Sequence, residues 1–272
     1  MKFVITGSTG HISKPLTDQL VKAGHDVTVV SSSPDRKAAI EALGAKAAIG
    51  SVEDAAFLTK TFAGADAVYT MVPPNYGAAD MPAFIATTGE AYATAIKNSG
   101  VKKVVNLSSI GAEQPSGTGP ISGLHEVEKS LDGLEGVNVK HVRAGFFYVN
   151  FLNDIPMIKN MKIMGANYPA TTTMIMVHPA DIAEVIAEEL QAHFTGKSIR
   201  YIISDEKKVS EVVAIIAETI NQPGLPWVEF TDEQSFEGMK GAGFAPQIAA
   251  TYTEMGKALR TGLLSQDYTA KN

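Results

Sequence analysis

The sequence predicts an α/β protein built on a doubly wound parallel sheet, with a small α/β C-terminal lid. Apolar segments of strand length alternate with segments of helical periodicity through the first two-thirds of the chain. Strands separated by such helices are joined by crossovers, which make the strands parallel and cover both faces of the sheet. The first sixteen residues add a strand, a glycine turn and a helix start in direct succession. Together these observations indicate the Rossmann arrangement, in which a ligand binds beyond the carboxyl ends of the strands.

Most predicted strands are short runs rich in apolar residues, and the predicted helices carry an apolar stripe. The strands are predicted over residues 2–6, 26–30, 45–49, 67–72, 103–107 and 139–143. The helices are predicted from residue 15 onward and over residues 35–43, 51–62, 81–99 and 121–131. Gly44 and Gly100 end two of these helices, and Pro73 and Pro74 stop the fourth strand. Ser51, with an acidic residue three positions later, is predicted to cap the third helix.

The regular alternation ends after Arg143. Residues 144–170, rich in Phe and Met, are interpreted as loop and short helix packed over the crevice. Helices are predicted over residues 179–190, 209–220 and 247–264, strands over residues 199–203 and 227–230, and a frayed tail beyond Gln266. Residues 1–150 and 177–204 are predicted to form the dinucleotide-binding domain, and residues 151–176 and 205–272 the small lid.

The 272 residues carry a formal net charge of −6 and include no cysteine. An acidic chain without a basic run is not typical of a nucleic-acid-binding protein, and the lack of cysteine excludes disulfides and thiolate sites. No apolar run reaches the ~18 residues of a membrane span, and Met1 leads directly into the first strand, so we expect a cytoplasmic protein without a signal peptide. No metal is expected, because no two histidines have metal-site spacing on one helix. The expected partner is a small-molecule substrate, and the expected state is a monomer or homodimer.

A phosphate-binding turn is predicted at the end of the first strand. Gly7 permits the reversal and Gly10 lets the backbone approach a diphosphate, while the following helix presents unpaired N–H groups. The candidate cofactor contacts in this turn are Gly7, Thr9, Gly10, His11 and Ile12. The third small position of the motif is Ser13 rather than glycine, which is expected to loosen the packing of helix on strand slightly. An ordinary strand-to-helix turn is the alternative.

The end of the second strand favours NADP(H) over NAD(H). An NAD site usually places a carboxylate there, whereas Ser31, Ser32, Ser33 and a nearby Arg36 or Lys37 suit a 2′-phosphate. Ser33 before Pro34 also fits a plain helix cap. The remaining candidate cofactor contacts follow later strands: Ser51 and Val52 for the adenine, and Met71, Val72, Pro73, Ser108 and Ser109 for the nicotinamide.

Four stretches of the chain resemble the NmrA-like branch of the atypical short-chain dehydrogenase/reductases. They are Ile5-Thr6-Gly7-Ser8-Thr9-Gly10, Asn106-Leu107-Ser108-Ser109-Ile110-Gly111, Arg143-Ala144-Gly145-Phe146-Phe147-Tyr148-Val149-Asn150 and Val177-His178-Pro179-Ala180-Asp181-Ile182-Ala183. The resemblance implies an NAD(P)-binding Rossmann domain with a small C-terminal substrate domain. It implies no single activity, because the family includes quinone reductases and non-catalytic redox sensors.

Catalytic residues are predicted on the helix over residues 121–131. Orthodox members of the superfamily carry Tyr-x-x-x-Lys there, and the four-residue spacing places both side chains on one helical face. This chain has His125 and Lys129 at those positions, so His125 is the candidate acid, with Lys129 and Ser109 as candidate catalytic neighbours. A surface helix of mixed charge is the alternative. His141 is expected in a loop or at the surface.

Four aromatic residues, Phe146, Phe147, Tyr148 and Tyr168, are candidate walls for a flat substrate, although each also suits an ordinary core. The sequence therefore predicts an NAD(P)H-dependent oxidoreductase that passes a hydride to a small flat acceptor such as a quinone. The alternative is a non-catalytic NADP(H)-binding redox sensor that acts through a protein partner, which the missing tyrosine favours.

Overall fold

The computed structural model describes residues 1–271. Within them, the strands are β1 (Lys2–Ile5), β2 (Asp26–Ser31), β3 (Lys46–Ile49), β4 (Ala67–Thr70), β5 (Lys103–Ser109), β6 (Asn138–Ala144), β7 (Phe146–Phe147), β8 (Met164–Ala166), β9 (Thr173–Val177), β10 (Lys197–Ile202), β11 (Asp205–Lys208) and β12 (Trp227–Glu229). The α-helices are α1 (Ser13–Lys22), α2 (Lys37–Glu41), α3 (Ala55–Phe62), α4 (Met81–Ser99), α5 (Ile121–Asp132), α6 (Ile155–Met161), α7 (Pro179–Gln191), α8 (Val209–Thr219), α9 (Asp232–Gly241), α10 (Pro246–Arg260) and α11 (Gln266–Lys271). Short 3-10 helices lie at Pro34–Arg36, Tyr148–Asp154 and Leu263–Ser265.

Seven strands form one sheet in the order β10-β6-β5-β4-β1-β2-β3, and every pairing within it is parallel. The chain runs outward from β1 to β3 and then returns to place β4 on the other side of β1. The strand order therefore reverses between β1 and β4, where doubly wound sheets open a crevice for a ligand. Ile5 lies beside Tyr69 in the register, so the loops that follow β1 and β4 leave the sheet at the same edge.

Helices cover both faces of this sheet. On one face, α1 and α7 bury Leu16 and Ile182 in a first core; on the other, α3, α4 and α5 bury Leu58, Ile96 and Val127 in a second core. All five side chains are shielded from solvent. The strands at the middle of the sheet, β1 and β4, are buried on both sides, and their sequences are mostly apolar.

A third, smaller core lies in the C-terminal part of the chain. Met164, Met174, Val212 and Trp227 pack together there, beside a three-stranded sheet (β11-β9-β7) and a pair of strands (β12-β8). Helix α10 connects this unit with the main sheet, because its Ile248 is buried in the second core.

The Rossmann fold and the strands and helices predicted for the seven-stranded sheet are confirmed, with small shifts at their ends. The predicted cap of the third helix is wrong. Asp54, not Ser51, caps α3, since its Oδ1 accepts the backbone N–H groups of Ala56 and Phe57 at 2.9 and 3.0 Å. The division into a dinucleotide-binding domain and a lid stays a prediction.

The expected fraying of the tail is also wrong, because Gln266–Lys271 is helical and its Asp267 contacts Arg143. The sequence did not predict β7, β8, β9 or β11. These strands are short, and the charged sequence of β11, Asp205–Lys208, pairs only along its backbone with β9, so no apolar pattern marks it. Across residues 1–271, no helix combines the length and apolarity that a membrane crossing requires.

Candidate functional site

The loop between β1 and α1 makes a tight reversal. Gly7 has φ +93° and Ser8 has φ +55°, a backbone region that L side chains rarely adopt. A Cβ atom at Gly7 would lie 2.4 Å from Ser13 Oγ, so glycine is required there on two grounds. Helix α1 begins at Ser13, and Ile12 before it offers no side-chain cap. The N–H groups of Lys14 and Leu16 are bonded to the carbonyls of Gly10 and Ile12, and Pro15 has no N–H. The N–H groups of residues 11–13 have no such partner and are available to an anion at the positive end of the helix dipole.

The glycine loop is held against the neighbouring strand. Ser13 Oγ donates to the carbonyl of Thr6 at 2.8 Å, and Thr6 Oγ1 accepts the N–H of Met71 at 2.9 Å. Tyr92 donates its hydroxyl to the carbonyl of Met71 at 2.6 Å. Ser13 therefore joins helix to strand, contrary to the expected loosening, and the loop is fixed to the end of β4 at the point where the strand order reverses.

The predicted contacts in the loop divide by exposure. Gly10 and His11 are exposed and Thr9 is half-buried, whereas Ile12 packs into the first core. At Ile12, therefore, the side chain is turned into the core and only the backbone can face a ligand. A Cβ at Gly10 would lie 3.1 Å from the carbonyl oxygen of Gly7, so a side chain there would crowd the loop itself.

The end of β2 is joined to the same loop through hydroxyl groups. Ser8 Oγ donates to Ser31 Oγ at 2.9 Å, and Ser31 is buried. Ser33 precedes the 3-10 helix but makes no side-chain cap, so the simple capping role is not realised. Ser32 and Arg36 are exposed, and Arg36 has no ion pair with another described residue. The edge of the crevice near β2 therefore presents hydroxyl groups and an unpaired guanidinium.

The remaining predicted cofactor contacts lie at the same edge, with their side chains variously engaged. Ser51 Oγ accepts the N–H of Glu53 at 3.1 Å, and Val52 and Val72 pack partly against the second core. Met71 packs partly against the first core, and Pro73 is half-buried. The two serines at the end of β5 have different surroundings. Ser109 Oγ donates to the adjacent carbonyl of Ile110 at 3.0 Å, whereas Ser108 is buried.

A buried ion cluster occupies the region between β5, β6 and α5. Ser108 Oγ donates to Glu128 Oε1 at 2.5 Å, so this hydroxyl is engaged within the protein. Arg143 binds both carboxylate oxygens of Glu128, with Nε at 3.0 Å and Nη2 at 2.7 Å, and its Nη1 contacts Glu113 at 3.1 Å and Asp267 at 3.0 Å. Burial opposes the charge of Arg143, but the hydrogen bonds with Glu128 outweigh it and raise the pKa of the guanidinium.

The sequence did not predict this cluster. Glu128 belongs to a helix that reads as mixed-charge surface, and Asp267 lies in the tail that was expected to fray. An arginine in a strand predicted to lie inside the sheet is a signal for a buried partner, since a charge is rarely buried unpaired.

The two predicted catalytic side chains on α5 lie in different surroundings. His125 is half-buried, and its Nδ1 lies 2.9 Å from the carbonyl oxygen of Ala112. Because a carbonyl only accepts, Nδ1 carries the hydrogen and Nε2 is the nitrogen left for a ligand. Lys129 is 69% exposed and forms an ion pair with Glu126 at 3.1 Å. The contacts of the described residues do not join Lys129 to His125.

The four predicted substrate-wall aromatics do not form one wall. Phe146 and Tyr168 pack into the third core, where the rings of Tyr168 and Trp227 lie 5.3 Å apart. Phe147 packs against the first core. Tyr148 is half-buried against the third core, and burial raises the pKa of its hydroxyl. The set therefore divides between two cores.

A chain of hydrogen bonds links buried side chains on three strands and ends at the exposed Asp132. Thr70 Oγ1 donates to Asn106 Oδ1 at 2.9 Å, Asn106 Nδ2 lies 3.1 Å from His141 Nδ1, and His141 Nε2 lies 3.0 Å from Asp132 Oδ1. The expectation that His141 lies at the surface is wrong, because it is buried within β6. Each of its ring nitrogens has a partner, as a buried imidazole requires.

A parallel sheet of this order, with a glycine loop and an uncapped helix at the reversal, defines a Rossmann dinucleotide-binding protein. The chain belongs to the family described as NAD(P)H-binding, whose match covers residues 7–193. This result confirms the NAD(P)H-binding family that the sequence resemblance implied. No curated protein sequence matches the chain significantly.

Solved structures similar to this chain share its fold over nearly the whole length. An NADPH-dependent quinone oxidoreductase from Escherichia coli, complexed with NADPH, has a TM-score of 0.77 and 18% identity, covering 97% of this chain and 94% of that one. The triphenylmethane reductase of Citrobacter sp., complexed with NADP(H), has a TM-score of 0.79 and 16% identity, covering 98% and 92%. A nucleoside-diphosphate-sugar epimerase from Staphylococcus aureus has a TM-score of 0.76 and 18% identity, covering 98% and 95%. At these identities the similarity establishes the fold alone.

Proposed function

We propose that this chain is an NADPH-dependent reductase that passes a hydride to a flat, electron-poor acceptor such as a quinone. The observation that carries the proposal is the hydroxyl-lined end of β2, where Ser8 Oγ bonds to the buried Ser31 Oγ and no carboxylate takes the ribose position. Exposed Arg36 and Ser32 lie where a 2′-phosphate would be held. The names of two similar structures, a quinone oxidoreductase and a triphenylmethane reductase, support the choice of a flat acceptor.

The glycine loop fits a dinucleotide diphosphate. Gly7 has no room for a side chain, a side chain at Gly10 would be crowded, and α1 lacks a cap of its own. In the proposal, the unbonded backbone N–H groups of residues 11–13 hold the diphosphate, and the bonds from Ser13 to Thr6 and from Met71 to Thr6 keep this loop in place. Bound NADPH supplies the hydride.

The chain's own part in the chemistry is placement and protonation. We assign proton donation to His125, because the hydrogen bond from Nδ1 to Ala112 orients the ring and leaves Nε2 to carry the exchangeable proton. Ser109, at the end of β5, is proposed to orient the acceptor. Lys129 is given no contact with the reacting groups, since it is exposed and paired with Glu126.

The first experiment measures cofactor preference. NADPH is expected to bind more tightly than NADH, and Arg36→Glu is expected to weaken NADPH binding by about tenfold while leaving NADH nearly unchanged, because the 2′-phosphate loses a cation. Lys37→Glu, on the next residue, is the matched charge control, because Lys37 is already paired with Glu41 at 3.9 Å whereas Arg36 has no such partner among the described residues. Tighter binding of NADH to the wild-type protein would contradict the assignment.

The second experiment measures turnover. NADPH oxidation is followed with a panel of small quinones, and His125→Gln is expected to lower kcat by about a hundredfold, the effect of losing a general acid. Exposed His193→Gln and Lys129→Ala are expected to leave kcat within about twofold. Equal losses in His125→Gln and His193→Gln would contradict the role of His125.

A redox sensor is the second candidate function. It is favoured by one observation: the Tyr-x-x-x-Lys pair is replaced by His125 and an outward-facing Lys129. In that case NADPH binds, no quinone is reduced, and a partner protein is retained by only one redox form of the cofactor complex. Turnover that depends on His125 excludes this alternative.

A further inference from the structure

A group of aromatic side chains lies where the loop after β4 meets the C-terminal helices. This aromatic cluster consists of Tyr76 in the β4–α4 loop, Phe244 in the α9–α10 loop, and Tyr252 on α10. The rings of Tyr76 and Tyr252 are stacked, with centroids 6.2 Å apart and an interplanar angle of 22°. Phe244 meets Tyr76 edge-on at 6.1 Å and 65°. Tyr76 is 51% exposed and Phe244 41%, so both retain open ring surface.

The aromatic cluster lies at the carboxyl edge of the sheet. Tyr76 belongs to the connection between Thr70, the last residue of β4, and Met81, the first of α4. Five residues before Tyr76, Met71 is bonded to Thr6 and lies 3.1 Å from the Cβ position of Gly7. Five residues of chain span at most about 18 Å. Tyr76 is therefore within reach of the part of the crevice that the glycine loop opens.

The three rings of the cluster are held by different parts of the chain. Helix α10 is anchored in the second core by Ile248, which fixes Tyr252 one turn further along. Tyr76 lies in a turn in which Asn75 Oδ1 accepts the N–H of Gly77 at 3.1 Å. Phe244 follows the end of α9, and its N–H donates to the carbonyl of Met239 at 3.1 Å. A planar ligand thus meets three rings whose backbones are each held by hydrogen bonds or packing within the protein.

We infer that the aromatic cluster receives the flat face of the acceptor, in place of the wall that the sequence suggested at residues 146–148 and 168. Electron-poor planar rings stack favourably on phenol and phenyl faces, and open faces are found on Tyr76 and Phe244. The inference rests on the proposed function for the kind of acceptor. The aromatic cluster lies at the carboxyl edge of the sheet and includes Tyr76 of the loop that follows β4. It is distinct from the cleft between α9 and α10, which is lined by Phe236 and several carboxylates.

The test measures binding of 2-methyl-1,4-naphthoquinone by ligand-observed NMR, with the protein loaded with NADP⁺ so that no reduction occurs. The chain contains no cysteine, so the quinone has no thiol to modify. Tyr76→Ala and Phe244→Ala are each expected to raise the Kd for the quinone by about fivefold, the effect of one aromatic contact. Tyr76→Phe retains the ring and is expected to restore binding. Phe236→Ala, in the α9–α10 cleft, is the matched aromatic control.

Unchanged quinone affinity in both Tyr76→Ala and Phe244→Ala overturns the inference, as does an equal loss in Phe236→Ala or no quinone binding by the wild-type protein. Thermal unfolding and NADP⁺ affinity are measured for each variant, and values equal to wild type show that a loss is local. A protein that binds the quinone through this cluster but does not turn it over disproves the reductase proposal and leaves the inference standing. If NADP⁺ does not bind, the quinone titration of the same variants is repeated without cofactor, and the inference is judged by the same outcomes.

Discussion

Gly7→Ala tests the glycine loop most sharply. The substitution forces an L side chain into φ +93°, which costs about 1–2 kcal/mol. The new Cβ would lie 2.4 Å from Ser13 Oγ, so that hydroxyl must move and its bond to Thr6 is lost, at about 1 kcal/mol. We expect the free energy of unfolding to fall by about 2–3 kcal/mol and NADPH affinity to fall at least tenfold, because the helix start shifts with Ser13.

Gly24→Ala is the matched control. Gly24 also has a positive φ, +82°, but a Cβ there would meet nothing within 4 Å. It is expected to cost about 1 kcal/mol, the backbone strain partly offset by lower entropy of the unfolded chain, and to leave NADPH binding unchanged. Urea denaturation and NADPH titration are performed on both variants. Equal destabilisation of the two, or normal NADPH binding by Gly7→Ala, would refute the reasoning.

Three further predictions concern buried polar groups. Tyr69 and Tyr92 are both fully buried, but the Tyr69 hydroxyl has no hydrogen-bond partner among the described residues, whereas that of Tyr92 bonds to Met71. In urea denaturation, Tyr69→Phe is therefore expected to be neutral or stabilising, and Tyr92→Phe is expected to cost about 1 kcal/mol. A larger loss of stability in Tyr69→Phe than in Tyr92→Phe would contradict this expectation. Arg143→Met is expected to destabilise by about 3–5 kcal/mol and Glu128→Gln by less, because only the first leaves three carboxylates facing one another; equal losses would show that the cluster is not held by the arginine. Burial raises the pKa of Asp154 to about 6 from 3.8, so between these pH values the folded state holds a proton that the unfolded state has lost, and the free energy of unfolding falls as pH rises. Asp154→Asn is therefore expected to be more stable than wild type by about 1–2 kcal/mol at neutral pH and no more stable near pH 4, as measured by denaturation across pH; a constant difference would contradict the burial effect.

The fold was predictable because its signals are local and repeated. Strands such as β1 and β4 are short and mostly apolar, and each is followed by a helix with buried apolar residues, so period and length suffice to distinguish strand from helix. The glycine loop was equally accessible, since Gly7, Gly10 and the helix start lie within a few residues.

The interior of the candidate site was not predictable in the same way. Arg143 contacts Glu113 and Asp267, which are 30 and 124 residues away, and no local pattern links them. The four-residue spacing of His125 and Lys129 predicts a shared helical face but not how that face is rotated relative to the crevice. In the structure Lys129 pairs with Glu126 in solvent, and Glu128 is the charged residue of α5 that lies inside.

The most direct test of the account is a crystal structure of the protein soaked with NADPH. The account predicts the diphosphate against the backbone N–H groups of the loop after Gly7, and the 2′-phosphate beside Ser32 and Arg36. A nucleotide bound elsewhere, or a glycine loop that stays empty at saturating NADPH, would contradict it.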